Sequence, residues 1–175
     1  ILENNNYKIW LEKLGVKAVY SVFNVEEMAQ VEQGVASIAS QLGGIDILIN
    51  NAGVGDFGSF EDMPVETWEK VMKVNLFGVY YVAKATLPYL KQNKEGDIVN
   101  VASTAGLKGA PNMSAYCASK AAVISLSQSL MAELRKFNIR VITLTPSTIA
   151  TDMSIEGKLT DGNPEKVLQP EDFAE

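Results

Sequence analysis

Tyr116 and Lys120 stand four residues apart in the run Tyr116-Cys117-Ala118-Ser119-Lys120. On a helix that spacing puts both side chains on one face, with Cβ atoms about 5–6 Å apart, so an ammonium can sit beside a phenol. A free tyrosine has a pKa of about 10, and offering a phenolate near neutrality requires a shift of about 3 units, ~4 kcal/mol. A unit charge at about 4 Å contributes ~4 kcal/mol at an effective dielectric of about 20, so one lysine suffices in order of magnitude. The bland alternative is a solvated tyrosine packed on a lysine stem, and the pair alone does not separate the two.

Ser103 supplies context. It lies thirteen residues before Tyr116, at the end of a run of strand character whose chain returns through a loop into the helix of the Tyr-Lys pair. That connection can bring its hydroxyl to the phenol, where both can grip one carbonyl oxygen. Asn75, set between Val74 and Leu76 in an otherwise apolar helical stretch, is the fourth candidate. It reads equally as a satisfied buried amide and as part of a proton relay.

Composition removes the usual competitors. The chain has 175 residues and no histidine, which excludes Ser/His/Asp triads, Cys/His pairs and most zinc sites. No metal is expected. Fifteen Lys and Arg against 21 Asp and Glu leave a net charge of −6, which opposes a nucleic-acid or anionic-membrane partner. The longest apolar run, Leu76 to Ala83, is far short of the roughly 20 residues a membrane span needs. The single Cys117 and the lack of a secretory segment lead to an expectation of a reducing compartment, the cytoplasm.

The elements that position these residues follow from periodicity. Strands are predicted near 16–23, 45–50, 97–102 and 139–145, and helices near 26–42, 64–92 and 114–137. That alternation means parallel β-α-β crossovers in a doubly wound α/β sheet, covered by helices on both faces as three α/β/α layers. Residues 1–15 read as the tail of an amphipathic helix, and Gln169-Pro170 as the opening of another, so the chain is expected to be one domain, residues 1–175, truncated at both ends. The helices at 64–92 and 114–137 are apolar nearly all round and need a second cover, either further chain or a subunit interface.

Gly53-Val54-Gly55-Asp56-Phe57-Gly58 matches the dinucleotide fingerprint G-x-G-x-x-G, but we reject that match. The fingerprint needs a helix opening at the glycines, and Pro64 places the helix start several residues later. More informative is the placement of small, polar or turn-forming residues just past each predicted strand: Asn24, then Asn50-Asn51-Ala52-Gly53, then Ser103, then Pro146-Ser147-Thr148. In an open parallel sheet these ends line one crevice, where ligands bind.

With these residues in order, the sequence resembles the short-chain dehydrogenase/reductase family over nearly its whole length, in particular the single-domain branch near the β-ketoacyl-acyl-carrier-protein reductases. Asn75, Ser103, Tyr116 and Lys120 are similar to the family's catalytic set. The resemblance implies reversible hydride transfer in which Tyr116 protonates the carbonyl oxygen and Ser103 orients it. Lys120 would lower the tyrosine pKa and bind nicotinamide ribose, and Asn75 would hold a relay water. It further implies cofactor contacts from Asn24 and Val25, from Asn51, Ala52 and Gly53, and from Pro146, Ser147, Ile149 and Thr151, besides Tyr116 and Lys120. Asn24 stands where many members carry aspartate, and Ser147 where glycine is usual. The cofactor implied is NADP(H), with NAD(H) as the alternative; the glycine loop and the residues that choose between them are not in this sequence, nor is a C-terminal strand. The implied substrate is a small-molecule or acyl-thioester carbonyl, and the implied assembly a homodimer or homotetramer. Alcohol, polyol or diketone dehydrogenase activity, and a non-catalytic scaffold, are the alternatives. Met153 to Gln169 is expected to form a substrate lid, and Lys91, Lys94, Arg135 and Lys136 a basic patch for an acidic carrier.

Overall fold

The computed structural model of the protein describes residues 8, 9 and 11–174. Three parallel strands, β1 (Ile47–Asn50), β2 (Gly96–Val101) and β3 (Ile139–Leu144), lie side by side in that order. Their register sets Asn50 against Asn100 and Val101 against Leu144, so their carboxyl ends share one edge of the sheet. The helices are α1 (Met28–Leu42), α2 (Val65–Met72), α3 (Val79–Gln92), α4 (Ser114–Leu134) and the short α5 (Asp152–Glu156) and α6 (Pro170–Ala174). This is a Rossmann-like α/β fold, in which each strand leads through helix into its parallel neighbour.

Alternation within the strands decides what is buried. Leu48, Ile98 and Val141 point to one face, where Leu87 and Leu90 of α3 and Leu130 and Leu134 of α4 pack on them. Ile47, Ile49 and Ile142 point the other way and are 58%, 62% and 40% exposed. Strands aliphatic on both faces are those of a three-layer α/β/α sheet, and the described residues build the sheet and the helical layer on one side of it. Helix α1 buries Val31, Val35 and Ala39 at helical spacing and stops at Gly43, whose φ of 89° closes the helix with a backbone bond to Ala39.

Three expectations need correction. Residues 16–23 form no strand: a strand exists by its ladder, and no neighbouring strand lies beside them among the described residues. Phe23 packs instead against Gly34 of α1, where a side chain would collide with its ring. The single helix expected over 64–92 is interrupted by a π-turn at Lys73–Gly78 between α2 and α3. The helix expected over 114–137 is α4 plus a tighter 3-10 turn, Arg135–Phe137, ended by Asn138 in the left-handed region. The first-segment helix falls largely outside the described residues; its end is seen, with Gly15 N–H donating to the Glu12 carbonyl. No helix among the described residues is long and apolar enough to cross a membrane.

Candidate active site

Buried amides align the strand ends with α4. Asn50 and Asn100 are register partners on the helical face, and Asn50 Nδ2 donates to Asn100 Oδ1 at 2.8 Å. Asn100 Nδ2 donates to Ser127 Oγ at 2.9 Å, and that hydroxyl donates to the Val123 carbonyl at 2.7 Å. A polar chain of this kind in a dry interior fixes how far α4 slides along the sheet, because any other offset strands a buried amide.

Beyond β2 and β3 the pairing continues without strand geometry: Ala102 N–H donates to the Leu144 carbonyl and Thr104 N–H to Pro146. Ser103, held between these bonds, caps a 3-10 turn (Thr104–Gly106), its Oγ accepting from Ala105 N–H at 3.1 Å. Gly106 then meets the backbone of α4: a Cβ there would stand 2.7 Å from the Lys120 carbonyl carbon and 2.8 Å from Ala121 N. Only hydrogen fits, and that contact brings the turn of Ser103 onto the first turns of α4.

Tyr116 and Lys120 occupy those first turns. Lys120 is 6% exposed; its Nζ lies 5.6 Å from the Tyr116 ring centroid and donates to the Val101 carbonyl at 2.8 Å. Burial lowers its pKa to about 8. Tyr116 departs from the expected direction: burial pushes its phenol above the ordinary value, the Ser103 hydroxyl opposes that shift, and Cys117 adds to it. Removing a phenolate from water outweighs the neighbouring cation while the ammonium is turned to a carbonyl. The arithmetic that made one lysine sufficient omitted this desolvation.

Asn75 is fully buried inside the π-turn. Its Oδ1 accepts from Val54 N–H at 2.8 Å, and its Nδ2 donates to the Val54 carbonyl at 3.0 Å and to Ser119 Oγ at 3.0 Å. Ser119 Oγ donates in turn to the Tyr116 carbonyl at 2.8 Å. The amide thus clips the loop after β1 to the helix of Tyr116 and Lys120, with both N–H groups spent. The second lone pair of Oδ1 remains, on the side of Gly53, where a Cβ would come within 3.3 Å of Oδ1 and 3.6 Å of Lys120 Nζ.

A cleft of about 740 Å³ opens at the carboxyl edge of the sheet. It gathers Ser103, Tyr116, Lys120, Asn51, Gly53, Pro146, Ser147, Ile149 and Thr151. Its remaining walls include Phe57, Met113, Met153 and Leu159, with Lys108 and no carboxylate among the described lining residues. Four predicted contacts lie elsewhere. Asn75 sits behind the cleft, and Ala52 does not line it. Asn24 turns its Oδ1 to Glu26 N–H at 3.0 Å, and Val25 packs on Gly78, where a Cβ would approach its Cγ2 to 3.0 Å. The glycines of Gly53 to Gly58 open no helix, since α2 starts at Val65. The cleft suits the nicotinamide-ribose end of a dinucleotide: Gly53 leaves room for close approach, and the buried Lys120 ammonium has donors beyond the one held by Val101. Phe57 and Ser119 were not anticipated; an aromatic in a glycine-rich loop carries no periodic signal.

Of the four basic residues expected to cluster, two share one aromatic ring. Lys91 and Lys136 both stack on Phe137, at 4.1 and 5.2 Å from its centroid, where α3 ends before β2 and α4 before β3. That is the amino edge of the sheet, opposite the cleft.

The sequence profile of the short chain dehydrogenase family matches residues 3–161. The chain is 41% identical over 143 residues to an inactive 2-(S)-hydroxypropyl-CoM dehydrogenase 2 of Xanthobacter autotrophicus, covering 81% of this chain and 62% of that one. It is 38% identical over 133 residues to the 3-oxoacyl-(acyl-carrier-protein) reductase FabG of Thermotoga maritima, covering 76% and 54%. Among solved structures, an NAD+-bound xylitol dehydrogenase superposes with a TM-score of 0.84 at 33% identity, over 90% of this chain and 63% of the other. The chain spans about half to three-fifths of the length of these relatives. With the serine, tyrosine and lysine gathered at one strand edge and these matches running through them, the chain belongs to the short-chain dehydrogenase family.

Proposed function

We propose that this protein is a nicotinamide-dependent oxidoreductase that reduces a ketone flanked by an apolar chain, with a β-ketoacyl thioester as the favoured substrate class. The observation that carries the reading is the convergence of Ser103, Tyr116 and Lys120 on one cleft that also presents the apolar side chains of Phe57, Met113, Met153 and Leu159. Those four side chains offer an acyl chain apolar surface to bury, which supports the thioester over a polyol.

Tyr116 donates its proton to the carbonyl oxygen, and a phenol held protonated by burial suits the acid role in reduction. Ser103 donates a hydrogen bond to the same oxygen and fixes its direction. Lys120, free to turn its ammonium from Val101 toward ribose hydroxyls, holds the nicotinamide end and favours the phenolate left by proton transfer. The dinucleotide, when bound, supplies the hydride. Ser147, Ile149 and Thr151 flank that end, while Asn75 keeps Gly53 and Val54 in place behind it.

NADP(H) and NAD(H) are the two cofactor candidates. Lys91 and Lys136 lie at the opposite edge, so Lys108 on the cleft wall is the better placed of these cations to meet an anionic tail. The reading extends to self-association through Phe77 and Tyr80 of the π-turn and α3, large apolar side chains 45% and 42% exposed. Purified protein given NADPH or NADH and a ketone panel including acetoacetyl thioesters should oxidise the reduced cofactor, fastest with the thioester. No oxidation with any pair overturns the reading, and preference for a polyol in the reverse direction moves the substrate class.

A further inference from the structure

The segment from Ala150 to Leu168 leaves β3 and returns to its own starting point. Its base closes by a bridge between Ile149 and Leu168, with Ala150 N–H donating to the Leu168 carbonyl at 2.9 Å. Inside it, Thr151 and Ser154 cap α5 reciprocally, and Ser154 Oγ donates to the Ile149 carbonyl at 2.6 Å. Local bonds fix this base, but they do not decide whether the far side, Met153 to Leu159, lies over the cleft.

Phe57 makes that contact. Its ring lies between two glycines, one from each side of the mouth. A Cβ on Gly157 would stand 2.5 Å from Cε2, and a Cβ on Gly55 would stand 2.7 Å from Cζ. Neither glycine has a positive φ, so the requirement at both is space and not backbone conformation. Met153 Sδ would lie 3.1 Å from the same Gly55 Cβ, which closes the seat with a sulfur. The ring then meets the Tyr116 ring edge to face, with centroids 5.8 Å apart and planes at 68°.

We infer that Phe57 is a positioning residue that couples closure of the 153–159 segment to the orientation of the Tyr116 phenol. With the segment down, the glycine seat holds the Phe57 ring and the ring walls one side of the Tyr116 ring. When the segment lifts, the seat opens and the phenol loses that wall. Catalytic geometry is thereby made conditional on a closed cleft, which keeps water from the reacting carbonyl. The inference rests on the reductase reading for its consequence in turnover, but its geometry does not.

The test compares Phe57→Ala, Phe57→Leu and Phe57→Trp in the full chain. Phe57→Ala should speed amide hydrogen exchange at Gly157, Lys158 and Leu159 about tenfold, shift the ring resonance of Tyr116 (assigned with Tyr116→Phe), and lower kcat about tenfold with KM for the dinucleotide unchanged. Phe57→Trp should restore all three, whereas Phe57→Leu should restore exchange protection without restoring kcat. Unchanged exchange in Phe57→Ala, or full kcat in Phe57→Leu, overturns the coupling. Should the wild-type protein turn over no ketone, the reductase reading fails, and the exchange and resonance measurements still decide whether Phe57 joins the segment to Tyr116.

Discussion

The two edges of the sheet handle charge in opposite ways. At the amino edge Arg140 grips Asp97 through two hydrogen bonds of 2.6 and 2.7 Å, in a solvated setting shared with Asp46 and Glu95. The Arg140 guanidinium holds the Asp97 carboxyl below its ordinary value. At the carboxyl edge the geometry is looser, with a cation 5.6 Å from a ring centroid, yet Tyr116 and Lys120 are both displaced toward their neutral forms by burial. The better-formed ion pair stands in water, where screening leaves it little consequence, and the groups with burial-shifted protonation are the dry ones at the cleft.

Removing a group from each edge should break this contrast most sharply. Tyr116→Phe is expected to cut ketone reduction by about 10²–10⁴-fold while dinucleotide binding, followed by fluorescence titration, stays within a factor of two or so. Arg140→Ala should leave both unchanged; loss of turnover there would place a functional group at the wrong edge. A non-catalytic scaffold would show no difference between the two variants.

The pH dependence of stability sharpens it further. Lys120 has a folded pKa near 8 against an unfolded value of 10.5, so between those values the unfolded chain binds more protons and stability rises with pH. Relative to Lys120→Met, the wild-type protein should gain up to about 3 kcal/mol between pH 7.5 and 10 in urea unfolding. Tyr116, raised by burial, works in the other sense only above pH 10, where the unfolded chain loses its proton first. A flat difference between the two proteins over that window would mean that Lys120 is hydrated.

The smallest expected effect concerns the frame. Gly106→Ala should push the Ser103 turn from α4, costing about 1–3 kcal/mol of stability and shifting turnover more than dinucleotide affinity. Activity unchanged in Gly106→Ala would show that Ser103 reaches Tyr116 without that backbone contact.

Much of this architecture was legible in advance. β2 and β3 fall within a residue of the apolar runs that predicted them, β1 starts two residues late, and Ser103, Tyr116 and Lys120 meet as their spacing required. What escaped depends on partners outside the local pattern. Residues 16–23 carry strand composition, but composition does not supply a neighbouring strand. The π-turn holds one amide, Asn75, that is satisfied on the Val54 backbone, and periodicity averages over a single residue. The direction of the Tyr116 shift depended on burial, which spacing does not contain. The edge that Lys91 and Lys136 share was not legible, since only topology says which edge a helix end reaches.

The paired bonds between Asn75 and Val54 divide the connection from β1 to α2 into two stretches with different freedoms. Everything up to Val54 is pinned to the helix of Tyr116 and moves with it. The eight residues from Asp56 to Met63 lie beyond the pin and lead to α2, tied back by Gly58 N–H donating to the Asn112 carbonyl at 2.9 Å and by the Phe57 ring against Tyr116. Sequence changes in this loop therefore alter the mouth and the Tyr116 ring together, while the Val54 clip keeps Gly53 beside Lys120.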